Sequence, residues 1–431
     1  MMSRGTARRA ALALPLIVAL AAGSASASGP SGWSTPETLA ASELGSGGPP
    51  TPLALAPDGV AVAVWSQITL AGYGLFGAGR PSGAHWQAPV KLPGEGIDPQ
   101  VALDASANAI AVWQSSTPPF AVQASMRPAG GGWLPPAALA AAGGEQPHIA
   151  ENLRGDSVVV WSRTLPRHLD DAGGGIEAAV RKPGAAFAPA QSIVLHENAH
   201  DPIIAMNERG DAAAAWEVDG PQGCRVWAAY RRANGHWGRP HRLSNFDAGC
   251  PAETQLAIDA NGEAIVAWLA QRGEIGLLED AVHTAGDRWL ERRVLAGARV
   301  VYGAHVAMDA RGDAIVVFSE LIGNTTVIAT RTRPAGQGWG RTQAVPRAFG
   351  GPASVAMDAR GDVLLTWTAR GPHVEASARP AGGRWRRTDI RSPREPSVTP
   401  ALAALDAHGD GLLAWQDEAG IETSWHPSLF R

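Results

Sequence analysis

An all-β fold built from eight copies of one unit is what this sequence predicts, on three observations. First, a glycine recurs at Gly59, Gly155, Gly210, Gly262, Gly312, Gly361 and Gly409, with Ala107 once in its place; seven steps from 59 to 409 give a period of 50 residues. Second, an aromatic follows six residues after each: Trp65, Trp113, Trp161, Trp216, Trp268, Phe318, Trp367 and Trp415. Third, the two ends of the chain are complementary, because residues 33–39 supply a strand that the last unit lacks. Periods of this size mark propellers, solenoids or arrays.

Each element of the unit has a local cause. Val355 to Trp367 reads as a strand, a tight turn and a second strand ending on an aromatic. Asp358 opens the turn, since its short carboxylate accepts backbone N–H bonds, and Gly361 closes it where a positive φ is easiest without a Cβ. The turn-opening position is Asp104, Asn152, Asn207, Asp259, Asp309, Asp358 and Asp406, with Ala56 as the exception. The second half of the unit is a segment ending in Arg, a turn and an aromatic. Arg127-Pro128-Ala129-Gly130-Gly131-Gly132-Trp133 is one copy; others end at Trp339 and Trp385, and looser ones at Trp86, Phe187, Trp237 and Trp289. Four short strands per unit follow, A to D, with period-two alternation expected within them. No segment shows a sustained helical period.

Four strands in about 50 residues is the size of one propeller blade. The eighth unit has strands A and B, ending at Trp415, and strand C near 421–425, and there the chain stops. Residues 33–39 (Trp-Ser-Thr-Pro-Glu-Thr-Leu) match 86–92 (Trp-Gln-Ala-Pro-Val-Lys-Leu), a strand D. The expectation is an eight-bladed β-propeller of four-stranded antiparallel blades. Its last blade is closed by the N-terminal strand pairing beside 420–426, which also removes exposed sheet edges.

The order Asp, Gly, Trp in each unit resembles the Asp-box repeats of bacterial sialidase-like propellers. Those repeats carry Ser or Thr before the Asp and the Trp close after the Gly; here Asp and Gly are three apart and the aromatic is six further on. The resemblance implies the propeller architecture. A sialidase would also need an arginine triad, a Tyr nucleophile paired with Glu, and an Arg-Ile-Pro motif. No Arg-Ile-Pro occurs, and the tyrosines are Tyr73, Tyr230 and Tyr302.

Composition narrows the setting. With 36 basic and 40 acidic residues the net charge is −4, so no strong field points to nucleic acid or an anionic membrane. Arg4, Arg8 and Arg9 precede an apolar run from Ala10 to Ala22, and Ala25-Ser26-Ala27 reads as a cleavage site. Residues 1–27 are therefore expected to be a signal peptide, and 28–431 a single propeller domain. That domain is expected to be secreted or held at the cell envelope, monomeric and not inserted in a membrane. Export puts Cys224 and Cys250, the two cysteines, in an oxidising compartment, where a disulfide between them is expected.

Of the 16 tryptophans, seven end strand B and seven start strand D, positions that suit packing between blades; Trp227 and Trp425 fall on strand C and also read as packing. The paired acids Asp309/Asp313, Asp358/Asp362 and Asp406/Asp410 suit turn capping better than calcium, which needs several oxygens close together. His196-Glu197-Asn198-Ala199-His200 is a literal H-E-x-x-H. Zinc proteases place that motif on a helix, and here it lies between strands with Pro202 following. Glu208 and Glu217 are the acids available as a third ligand, both in the next hairpin. A looser metal site would draw on His168, His196 and His200, with Asp170 and Asp171 nearby. No P-loop, dinucleotide fingerprint or Ser nucleophile elbow is present, so no cofactor is expected.

A ligand site is expected at the channel mouth. The position two before the repeated strand-A alanine reads Pro52, Gln100, His148, Ile203, Gln255, His305, Ser354 and Leu402. Gln100, His148, Gln255 and His305 are expected either to hydrogen-bond between blades or to line a polar pocket with His196, His200 and Asp201 on its rim. The leading expectation is a non-catalytic exported protein that binds a protein or glycan. The other is a glycan-active hydrolase or lyase, favoured by two carboxylates about 5–10 Å apart at the mouth.

Overall fold

Strand B decides the architecture. In blade two it is Ala109–Gln114, buried at every residue. The corresponding Ala212–Gly220 and Ala264–Arg272 carry continuous Ala, Ile and Val runs before their tryptophans. The expected alternation of apolar and polar residues is absent from these strands, because both faces of each blade pack on a neighbour and both must be apolar. The computed structural model describes residues 32–41, 52–69, 72–164, 174–195, 198–220, 223–245, 252–371, 373–388, 390, 392 and 401–430. Among them there are strands and no helix.

The described strands form eight antiparallel blades; the first seven run A, B, C, D in sheet order as in chain order, and blade five departs from four strands in having two, Arg288–Trp289 and Arg293–Ala298, paired with its strand C. They cover 53–95, 97–140, 144–194, 199–242, 252–298, 301–349, 350–388 and 402–426. The last blade has three strands from the C-terminal end and takes Glu37–Ala41 as its fourth, with Glu37 opposite Thr423 and Ala41 opposite Gly420. Ser34 N donates to Trp425 O at 2.8 Å and extends the pairing toward Trp33. The expected closure is therefore what the fold uses.

Each aromatic at the end of strand B fills a junction with the preceding blade. Trp113 packs with Val62, Val64, Leu75 and Leu92 of blade one. Trp268 packs with Val226 and Leu243 of blade four. Trp65 of blade one meets Leu39 and Ile421 of blade eight, so the ring is continuous. Trp133, Trp237, Trp289 and Trp339 are partly buried against the same junctions, as is Trp227. Trp425 lies under the Arg80 guanidinium at 4.6 Å. The tryptophans thus pack as their spacing predicts.

Blades six and seven depart from the expectation of separate sheets. Gln343–Met357 is one continuous strand, D of blade six and then A of blade seven, joining the two into a seven-stranded sheet. Gly350 turns the corner at φ 133°, where an added Cβ would lie 2.2 Å from Thr368 O. Only glycine fits there.

The A–B turns repeat one bonding pattern. Asp358 Oδ1 accepts from Arg360 N and Asp362 N, each at 2.9 Å, and Gly361 N donates to Asp358 O at 3.0 Å. Asp104, Asn152, Asn207, Asp259, Asp309 and Asp406 do the same in their blades. The second acid holds the C–D turn: Ala335 N donates to Asp313 Oδ1 and Ala381 N to Asp362 Oδ1, each at 2.8 Å. These carboxylates accept from backbone N–H groups, the capping role that their spacing predicts. Ala107 stands in the glycine position at φ 61°. A left-handed Ala costs about 1–2 kcal/mol, against which Gly loses about 0.5–1 kcal/mol of chain entropy. Ala107→Gly is therefore expected to raise stability by about 0.5–1 kcal/mol, read as a rise in the urea midpoint; an unchanged or lower midpoint would refute it.

Candidate functional site

The starts of strand A and the ends of strand B lie at one end of every blade. At this end strand A carries a β-bulge, which sequence inspection missed. The pairing register slips between Ile97 and Gln100, Glu145 and His148, His200 and Ile203, Ala252 and Gln255, and Tyr302 and His305. The bulged residues are Asp98, Gln146, Asp201, Glu253 and Gly303, with φ of 50°, 53°, 49°, 52° and 64°. Four consecutive blades thus hold a carboxylate or carboxamide in the left-handed region, where a Cβ costs about 1–2 kcal/mol. A bulge re-aims a side chain, and here it does so for four polar groups at this end of the blades. The signal was present in three blades as a polar residue, a proline and the ring position: Asp98-Pro99-Gln100, Gln146-Pro147-His148 and Asp201-Pro202-Ile203.

The bulged residues tie neighbouring blades together. Gln146 N donates to Gln114 Oε1 of blade two at 3.3 Å. Gln146 Oε1 accepts from Asp201 N of blade four at 3.0 Å and from Ser162 Oγ at 2.9 Å, while its amide Nε2 donates to Asp201 Oδ1. Glu253 Oε2 of blade five accepts from Ala304 N of blade six at 2.8 Å. Burial pushes the Asp98 carboxyl upward.

The densest group is in blade four. His200 Nδ1 lies 2.9 Å from Asp201 Oδ2, and Nε2 lies 3.1 Å from Asp219 Oδ1. Glu217 is opposite His200 on strand B, and Thr254 Oγ1 of blade five donates to Glu217 Oε1 at 3.0 Å. Asp201 and Asp219 are exposed, His200 is half-buried, and Glu217 is 6% exposed. The hydrogen bond to Asp201, and then Asp219, raises the imidazole to about 9 against the opposing effect of burial. Burial raises the Glu217 carboxyl to about 7, with the Thr254 hydrogen bond working the other way. One imidazolium thus sits between exposed carboxylates beside a buried carboxyl of a different proton affinity.

The ring positions fall in equivalent register. Gln100, His148, Ile203, Gln255, His305, Ser354 and Leu402 lie opposite Val112, Val160, Ala215, Ala267, Val317, Thr366 and Ala414, the residues before the strand-B aromatics. Burial lowers both His148 and His305 to about 4, so both are neutral near pH 7. His148 Nδ1 is buried and makes no hydrogen bond among the described residues. Ser354 and His305 do not join the cluster at His200; Asp201 does.

Of the H-E-x-x-H motif, His200 lies on the strand Ala199–Met206 and not on a helix. Glu208 lies at the other end of the blade, accepting from Leu153 N, whereas Glu217 reaches His200. His168, Asp170, Asp171, His196, Glu197 and Cys250 lie outside the described residues. Cys224 is the second residue of the strand Gly223–Arg231, paired opposite Asp219 and buried. At the opposite face, a cleft of about 370 Å³ between blades four and five is lined by Arg209, Asp211, Tyr230, Arg232, Asn261 and His283. Its groups answer one another: Tyr230 stacks on His283 at 3.9 Å, and Arg232 faces Asp287 at 3.7 Å.

No family model matches the sequence, and no curated protein does. Solved structures do match. The BP39L lectin from Burkholderia pseudomallei aligns at TM-score 0.55 and 12% identity, over 80% of this chain and 99% of the lectin. The polysaccharide lyase Uly1 aligns at 0.45 and 9% identity over 88% and 89%, and the Hadza microbial sialidase Hz136 at 0.39 and 12% over 72% and 74%. At these identities the likeness to the lectin is one of fold, and it agrees with the ring of blades described above.

Proposed function

We propose that this chain is an exported propeller that binds a polyhydroxylated ligand, a glycan, at the mouth where strands A begin. The observation that carries the reading is the hydrogen-bonded line Gln146–Asp201–His200–Asp219, which crosses from blade three to blade four. It offers both acceptors and donors on preformed backbone, the arrangement by which a few polar groups orient a ligand. That the same fold serves a lectin agrees with this use. Export rests on the signal-like residues 1–27, and it accounts for the proposed Cys224–Cys250 disulfide.

Hydrolysis is the second reading, because Asp201 and Glu217 bring carboxylate oxygens within 4.8 Å at the mouth. A retaining glycosidase spaces its two carboxyl groups by roughly 5–5.5 Å across the scissile bond. Here the imidazole shares the space, and Thr254 holds Glu217 from behind, which suits holding a ligand better than straddling a bond.

A glycan and polysaccharide array on the secreted protein, with released sugars assayed in parallel, separates the readings. Binding without product is expected, with Gln146→Ala/Asp201→Asn weakening it at least tenfold. His148→Ala/His305→Ala tests the inner ring separately, and unchanged affinity there confines the site to the rim. Turnover would favour the hydrolase, and full affinity in the Gln146/Asp201 variant would remove this site. Intact mass of the same secreted protein is expected to show a chain starting near residue 28 and no free thiol.

A further inference from the structure

We infer that His200, Asp201 and Glu217 form a site for one first-row divalent cation such as Zn²⁺ or Mn²⁺. One nitrogen and two carboxylate oxygens, one from each residue, lie within 4.8 Å of one another. Metal–ligand bonds of about 2.0–2.2 Å put neighbouring donors roughly 3–3.5 Å apart, so a small inward movement closes the set. Glu217 is the telling residue. It is 6% exposed, Thr254 engages Oε1, and Oε2 makes no hydrogen bond among the described residues. A largely buried carboxyl with one oxygen unengaged, beside an imidazole and a second carboxylate, has a donor to offer a cation.

Every ligand also has an outer partner. His200 Nδ1 faces Asp201, which leaves Nε2–H to donate to Asp219 Oδ1 at 3.1 Å, the carboxylate–histidine pairing that orients metal ligands. Asp201 is steadied by Gln146 from blade three, and Glu217 by Thr254 from blade five. Three blades therefore hold the ligands, and the exposed side of Asp201 leaves positions for water or a bound ligand. The nitrogen donor and the three-residue set favour a transition ion over Ca²⁺, which takes six to eight oxygens. Binding takes the place of the His200 Nδ1 proton, and that proton is released to solvent. The inference does not rest on the glycan reading, because its test reads metal directly.

The test uses the mature protein without a histidine tag, stripped with chelator and titrated calorimetrically with Zn²⁺ or Mn²⁺. Bound metal is then counted by elemental analysis after dialysis. One ion per chain is expected. His200→Ala and Glu217→Gln should each weaken binding at least a hundredfold, and Asp219→Asn about 10–100-fold, as for outer-shell partners. His241→Ala, on exposed strand D of the same blade, should leave binding unchanged. Circular dichroism melts establish that the variants fold, and His200→Gln serves if the Ala or Glu217 variant does not. Absence of stoichiometric binding, or full binding by a folded His200 variant, would overturn the site.

Discussion

A chain whose secretion signal is joined directly at residue 42 is expected to yield no stable ring. The deletion removes the strand Glu37–Ala41 and leaves the Gly420–His426 edge unpaired. It also takes Trp33, fully buried, from the junction of blades seven and eight, and Leu39 from that of blades eight and one. Truncating one buried tryptophan costs about 3–5 kcal/mol, and Trp33→Ala alone is expected to fall in that range. The full deletion adds the lost pairing and an open sheet edge, a template for association. Size-exclusion chromatography is expected to show aggregate in place of the parent peak. A synthetic peptide of residues 32–41 added during refolding should restore the peak, because blade eight holds this strand by hydrogen bonds and packing that a separate peptide can also make. A deleted chain that elutes and melts like its parent would show that the closing strand is dispensable.

Acidification is expected to pull stability in two directions at once. His148 and His305 titrate at about 4 in the fold against an ordinary 6.5, because burial opposes the imidazolium. Below 6.5 the unfolded chain takes up protons that the fold refuses, so stability falls between about pH 6.5 and 4. Glu151 titrates at about 7 against 4.5, chiefly through burial and secondarily through Asp104, despite its hydrogen bond from Ser157 and Arg181 at 3.7 Å. Above 4.5 the unfolded carboxyl ionises while the folded one does not. Stability from this group is therefore present at low pH and lost as pH rises to 7. At about 1.4 kcal/mol per unit each shift has a ceiling near 3 kcal/mol, and half-buried histidines are expected to deliver about 1–2 kcal/mol each. The parent should thus show a shallow profile. His148→Gln/His305→Gln should gain stability relative to the parent on going from pH 7.5 to 5, and Glu151→Gln should lose it. Parallel urea midpoints for all three proteins across that interval would refute the opposed contributions.

The local parts of this protein were legible in its amino-acid order. A turn opened by Asp358 and closed by Gly361 depends on residues three apart. The strand-B aromatic depends on a spacing of six, and the eight-fold count depends on repeating both. The closing strand was legible for the same reason, since 33–39 copies a segment found elsewhere in the chain. The turn acids could be read as caps because each bonds backbone within four residues.

What the tertiary structure alone decided is the company each polar side chain keeps. His200 and Glu217 are 17 positions apart in sequence and face one another only because strand A is bulged at Asp201. A one-residue slip of register reverses which face a side chain takes, so the bulge at Asp201, marked in the sequence only by the proline that follows it, determined the cluster. Gln146 reaches Asp201 and Thr254 reaches Glu217 across blade boundaries, contacts set by the ring's closure. His196 and His200 share a motif, yet the partners of His200 in the fold are Asp201, Asp219 and Glu217. Spacing could identify the unit because the unit is held by short-range bonds. It could not identify the site, because the site is assembled from three blades by packing of the tryptophan junctions between them.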